Sequence, residues 1–235
     1  MLQAGFISLT IVLAVLLIAG AASVASRVFT DAHKKRRFTI KFALMLTGWL
    51  AYITTVSLMG AFAGTGFPPR IPLLLVLPAF AMIIYFFRSR SFTAIIAGTP
   101  ATWPVYFQSF RVVVELLIWG SFLQGILPKQ ASFEGYNFDV VIGLTAPLVG
   151  YLLIRNGQVK SRGILLAWNI AGFTTLAIVV FILISHAYFF HIWGLQESIL
   201  TRGFGLFPYT LLAGFLMPLA VFMHIYSIVK LKRTN

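Results

Sequence analysis

The sequence predicts an all-α protein built as a seven-helix membrane bundle, and three observations carry that prediction. Of 235 residues, 60% are hydrophobic and 10% charged, against about 25% charged in soluble domains. Several apolar runs reach the roughly 20 residues that a helix needs to cross a bilayer. Basic residues gather at alternate ends of those runs, the signature of an oriented polytopic chain. The short alternating segments of a membrane barrel are not visible. The polar gaps are too short for a separate soluble domain, so residues 1–235 read as one transmembrane domain.

Span 1 is expected over about 5–26. Small residues from Ala19 to Ala25 imitate a cleavage site, but the opening MLQAGF lacks a basic n-region. The run therefore reads as a retained helix rather than a signal peptide. It ends at Arg27 and the cluster Lys34, Lys35, Arg36 and Arg37, which should stay in the cytoplasm and put the N-terminus outside. Span 2, about 38–63, carries Trp49, Thr54 and Thr55 and leads to an external turn, GTGFPPR. Span 3, about 70–87, holds Pro72 in its first turn and Pro78 further in, where it should kink the helix. Residues 91–102 are too short to cross and read as an internal loop with a short interfacial segment.

Span 4, about 103–126, is the centre of the plan, with three spans on each side. It alone places a carboxylate near the middle of a span: Arg111 and Glu115 lie four residues apart, on one helix face. Charge at bilayer depth is costly and marks either function or a packed ion pair. Span 5, about 138–154, is short and contains Pro147. Asn137 is expected to cap it, with Asp139 in the first turn, where a carboxylate suits the helix dipole. Span 6 is expected over about 163–185 and span 7 over about 206–229. Between them Ile192, Leu195 and Ile199 recur at helical spacing against Gln196, Glu197 and Arg202, which predicts an amphipathic helix lying at the interface.

The net charge of +13 sits at span ends rather than on a soluble face, so the expected partner is anionic lipid and not nucleic acid. Of the 18 lysines and arginines, only Arg70, Lys129 and Arg202 fall outside and Arg111 within a span; the others fall inside. This gives N-out, C-in. With no evident targeting sequence, the expected location is a bacterial inner membrane. The absence of cysteine excludes disulfides and thiolate chemistry.

Spans 2–3 and 6–7 resemble each other. Trp49 precedes Thr54-Thr55 much as Trp168 precedes Thr174-Thr175, and the pairs Pro68/Pro78 and Pro208/Pro218 share one spacing. A 3+1+3 arrangement of two parallel three-helix units follows, and in parallel-repeat transporters the substrate site lies where the halves meet. The layout is similar to that of SWEET-type sugar transporters, and the helix count to that of microbial rhodopsins. The chain departs from both. Span 7 has only Lys230 at its inner end, not a mid-span lysine for retinal, and span 1 has no proline. No family residue is carried over.

Counted from the inner ends at 1.5 Å per residue, Arg111, Asn169 and His224 lie roughly 9–12 Å deep, with Trp49 and Glu115 deeper. They form the expected ligand site: Arg111 to hold a negative group, Glu115 to pair or exchange a proton, Asn169 and His224 to orient. A packed Arg111–Glu115 pair is the structural alternative. An outer group of His186, His191, Glu134, Asp139 and Glu197 has metal-ligand chemistry, but the two histidines are five apart, off a common helix face, and no HExxH motif is present.

The function expected is binding or transport of a small anionic or amphiphilic molecule through the bundle. A membrane sensor acting through a partner protein, and an outward-facing enzyme with a His/carboxylate site, are the alternatives, with a non-enzyme preferred. No metal or cofactor is assigned. The expected partners are lipids and a small-molecule ligand, and self-association is compatible with the sequence.

Overall fold

The structure is a computed structural model in which residues 1–63, 67–155, 158–198, 200 and 202–233 are described. The described residues are mostly helical, with one two-residue antiparallel β-pair (β1, Ile154–Arg155; β2, Gln158–Val159) between two of the helices. The long helices are α1 (Leu2–Val28), α2 (Ala32–Leu58), α8 (Arg162–Tyr188) and α9 (Met217–Arg233, entered through a π-helical turn, Leu212–Leu216). Between them lie α3 (Leu77–Arg88, entered through a second π turn, Pro72–Val76), α4 (Arg90–Gly98), α5 (Trp103–Phe107), α6 (Phe110–Leu123) and α7 (Asp139–Leu153). Among the described residues, five helical segments are long and apolar enough to cross a membrane, or six if the bent pair formed by the Pro72–Arg88 segment and α4 is one span.

The packing is that of a protein solvated by lipid. Ile11, Val15 and Leu16 on α1, Leu44 on α2, Leu148 on α7 and Ile170 and Phe181 on α8 all face outward. In water so many exposed apolar side chains would mark an interaction surface; in a bilayer they are the solvent-facing side. The interior centres on α9 and its π turn, where Leu212, Phe215, Leu216, Leu219 and Ala220 are buried against Phe110, Val114 and Ile118 of α6.

Several predicted boundaries shift, each for a local reason. Helix α2 starts inside the basic cluster, because the Asp31 carboxylate caps it by accepting from the His33 N–H at 2.8 Å. Residues 91–102 do not form a loop. They carry α4, turned 78° from the Pro72–Arg88 segment and buried through Phe92, Ile95 and Ile96. Its C-terminal end is held by Lys230, which donates to the Ala97 carbonyl, and Arg233 donates to the Thr93 carbonyl nearer its middle. A cation at a C-terminal carbonyl suits the helix dipole. Span 4 is broken at Gln108–Ser109 into α5 and α6. The interfacial helix expected over 186–205 is not formed as such: α8 runs on to Tyr188, followed by short 3₁₀ turns at Phe190–Trp193 and Arg202–Gly205. Ile199, part of that expected face, lies outside the described residues, as do residues 64–66 of the expected external turn.

The two π turns are built alike. Each precedes a proline, Pro78 or Pro218, which cannot donate to the carbonyl four residues back. Those carbonyls belong to Leu74 and Gly214. Both are accepted by donors from one turn of α2: Tyr52 Oη donates to Leu74 O at 3.2 Å and Trp49 Nε1 to Gly214 O at 2.9 Å. The two rings stack at 5.2 Å. One helix thus satisfies both proline-freed carbonyls. Trp49→Phe keeps the ring and removes the donor. It is expected to destabilise the bundle by about 0.6 kcal/mol and at most about 1.7 kcal/mol, the range for interhelical hydrogen bonds in a membrane bundle, measured as a lowered thermal midpoint in detergent. An unchanged midpoint would mean that the indole bond contributes nothing.

Candidate functional site

Four helices bring polar side chains to one place, and helical spacing explains how. On α6, Arg111 and Glu115 share a face; on α7, Asp139 and Gly143; on α8, Asn169, Gly172 and Thr175; on α9, His224 and Ser227. Gly143 makes the close approach of α7 to α6 possible. A Cβ there would meet Val112 N at 2.8 Å and Arg111 Cβ at 3.3 Å. The approach carries Asp139, one turn earlier, onto Arg111.

The ion pair at Arg111 is therefore made with Asp139, not with Glu115. Arg111 Nε donates to Asp139 Oδ2 at 2.7 Å, and Nη2 lies against Oδ1. Arg111 is 1% exposed and Asp139 4%. The expected role of Asp139 as a charge on the helix dipole gives way to a buried bidentate pair. Asn137 does act at the start of α7, accepting from the Asp139 N–H through Oδ1 at 2.9 Å.

The rest of the guanidinium is also occupied. Nη1 donates to His224 Nε2 at 2.8 Å, and Nη2 to Thr175 Oγ1 at 3.1 Å and Gly172 O at 3.4 Å. Arginine has no acceptor, so His224 Nε2 must be the bare nitrogen. Its Nδ1–H then donates to Asn169 Oδ1 at 2.9 Å, and Asn169 Nδ2 donates onward to Ser227 Oγ at 3.0 Å and Leu165 O at 2.8 Å. The result is one directed chain, Asp139–Arg111–His224–Asn169–Ser227, in which every link is buried.

Glu115 stands apart. It is 1% exposed, and its Oε2 accepts from Asn137 Nδ2 at 2.6 Å. Asn137 thereby touches both carboxylate residues and also donates to Ala131 O at 2.8 Å. The cluster holds one guanidinium and two carboxylates. With His224 in the neutral form that its bonds require, one proton or one cation balances it.

Glu115, Arg111 and Asp139 form one wall of a cavity of about 140 Å³. The other walls are apolar: Phe62 and Val76 near the first π turn, Leu176 and Val179 of α8, and Leu212 and Leu216 of the second π turn. π-Helical turns are frequent at functional sites, and here two of them bound one cavity.

Of the residues singled out from sequence, Arg111, Asn169 and His224 are hydrogen-bonded in series, but only Arg111 of the three lines the cavity with Glu115. Trp49 is spent on the Gly214 carbonyl. The outer residues are dispersed. His186 is buried and stacked on Trp193 at 4.4 Å, His191 is exposed, and Glu134 accepts from Trp119 Nε1 at 2.6 Å. Among the described residues no group of three His, Cys, Asp or Glu side chains could hold a metal ion. Sequence reasoning missed Thr175 and Ser227 as partners, and Gln108, which is fully buried at the α5–α6 break and donates to Ala220 O at 3.1 Å. For Ser227 the available signal is its three-residue spacing from His224, one face of one helix; Gln108 offers none. No family model, no curated protein and no solved structure matches the chain.

Proposed function

We propose that the chain is a seven-span carrier, N-out and C-in, that binds a small and mainly apolar molecule in the cavity beside Glu115 and moves it across the membrane. The observation that carries this is the division of labour at the polar cluster. Arg111 has its charge paired with Asp139 and also bonds His224, Thr175 and Gly172, which leaves one N–H, on Nη1, and no unpaired charge for an anion. Glu115 is the charged group with a single protein donor on a cavity wall. The preferred ligand is then one with an amine or another hydrogen-bond donor rather than the anion expected from sequence. An apolar cavity of about 150 Å³ accepts a molecule the size of benzene, which sets the scale for a void of about 140 Å³.

Transport is favoured over sensing by the position of the cavity between two similarly built segments. The π turns at Pro72–Val76 and Leu212–Leu216, with the prolines that follow them, stand 140 residues apart in the chain, and they fit the two ends of a 3+1+3 parallel repeat. Repeat interfaces are where such carriers bind substrate. A bacterial inner membrane remains the proposed location.

The test uses benzylamine, benzyl alcohol and benzoate as probes of equal ring size. Benzylamine near ten times its dissociation constant should stabilise the purified protein by about 1.4 kcal/mol, a shift of a few degrees. That shift should vanish in Glu115→Gln and persist in Glu134→Gln. Preferential stabilisation by benzoate would sink the assignment of Glu115 as anchor. Binding without flux in proteoliposomes would favour the sensor reading.

A further inference from the structure

A second and larger recess lies on the other side of Phe110. It measures about 740 Å³ and is bounded by α1, α2, α4, α5 and α9. Its walls are Phe38, Phe42, Phe92, Trp103 and Phe222, with α1 as a floor from Leu13 to Val24. That floor is about 16 Å long at 1.5 Å per residue, close to half of the roughly 30 Å hydrocarbon core. The walls are overwhelmingly apolar, and the two polar side chains at the Thr99 corner, Thr99 and Tyr226, satisfy each other. Thr99 Oγ1 donates to Ile95 O at 2.8 Å and accepts from Tyr226 Oη at 2.6 Å. The recess therefore suits an aliphatic chain of one leaflet's depth rather than a polar metabolite.

The rim identifies the head of that chain. Arg27 follows Val24 by one helical turn and is exposed. Lys34 and Lys41 are exposed and share the face of α2 that presents Phe38 and Phe42, by i, i+3 and i, i+4 spacing. Cations at the headgroup level beside an apolar slot complement an anionic headgroup. A second copy of this chain fits less well, because in the same membrane orientation it would bring the same basic cluster to the same rim. We infer that this recess is a binding site for an anionic phospholipid, whose acyl chain lies along α1 and whose headgroup phosphate meets Arg27, Lys34 and Lys41. The inference is independent of the Glu115 cavity.

The experiment is native mass spectrometry of the full chain after incubation with phosphatidylglycerol or phosphatidylcholine carrying identical acyl chains. Wild type should retain phosphatidylglycerol in preference, by about fivefold for each participating cation. Lys34→Gln/Lys41→Gln should lower that preference toward unity without changing the weak retention of phosphatidylcholine. Ser23→Phe, which fills the recess, should reduce retention of both lipids, and Ala21→Leu is the milder filling variant should Ser23→Phe fail to fold. Equal retention of the two lipids by wild type would overturn the inference. So would unchanged retention in a folded filling variant, or a dimer that the filling variants abolish.

Discussion

Replacing Arg111 by leucine is expected to lower stability by about 3–5 kcal/mol, because it leaves Asp139 as a buried charge without a partner. At 235 residues this corresponds to a fall in thermal midpoint on the order of 10 °C. The side chain is 1% exposed and its guanidinium bonds to three other helices, so water cannot take over. Asp139→Leu should cost a similar amount by stranding the guanidinium. The double variant Arg111→Leu/Asp139→Leu should recover much of the loss, since exchanging a buried pair for apolar side chains of similar volume is often neutral. In a micelle the unfolded chain also finds partners for its polar groups, which holds ordinary interhelical hydrogen bonds near 0.6 kcal/mol. An ion stripped of its counter-charge has no such refuge, and that is why this pair should stand above the other contacts. Thermal unfolding of the four proteins, followed by tryptophan fluorescence in one detergent, gives the coupling energy directly. Additive losses in the double variant would show that the two groups do not depend on each other.

Much of this arrangement was legible in the sequence, and the reasons differ by residue. The apolar runs and their basic ends mark the helices because lipid leaves helical backbone few alternatives. Arg111, Asn169 and His224 stand out because charged and amide side chains are rare at that depth. The partner of Arg111 did not stand out. Glu115 is its neighbour by helical spacing, whereas Asp139 lies 28 residues away in sequence and has a sufficient local explanation at the start of α7. A tertiary pairing wins here over a satisfactory local one. It does so because Gly143 lets α7 reach α6 closely enough to bury the carboxylate, and a single glycine in an apolar helix gives no sign of that purpose. The break in span 4 was hidden similarly: residues 103–126 read as continuous because Gln108 and Ser109 are ordinary helix residues, and no proline marks the turn between α5 and α6. The π turns could be anticipated only as kinks, since Pro78 and Pro218 say which carbonyls are released but not that Tyr52 and Trp49 receive them.

The tightest packing in the cluster predicts the second large effect. A Cβ on Gly172 would lie 2.2 Å from both Cε1 and Nε2 of His224. The imidazole cannot simply swing aside, since Trp168 and Phe173 sit with ring centroids at 5.5 and 5.2 Å from it. Gly172→Ala should therefore displace His224 from both Arg111 and Asn169. Overpacking costs about 1–3 kcal/mol, and the two lost hydrogen bonds add roughly 0.5–1.5 kcal/mol each. The better helix propensity of alanine returns only about 1 kcal/mol. The balance is a loss of about 1–5 kcal/mol, from adding one methyl group. Gly48→Ala is the matched control, because a Cβ on that glycine of α2 meets nothing within 4 Å, and it should be neutral or stabilising by up to about 1 kcal/mol. The decisive comparison is in a His224→Ala background. With the imidazole gone, the clash at residue 172 is gone as well, and Gly172→Ala should change sign, leaving the double variant at least as stable as His224→Ala alone. If Gly172→Ala is equally damaging in both backgrounds, its effect comes from the α8 backbone and not from the ring. The close packing of glycine against histidine would then not be what holds the Arg111–His224–Asn169 chain in register.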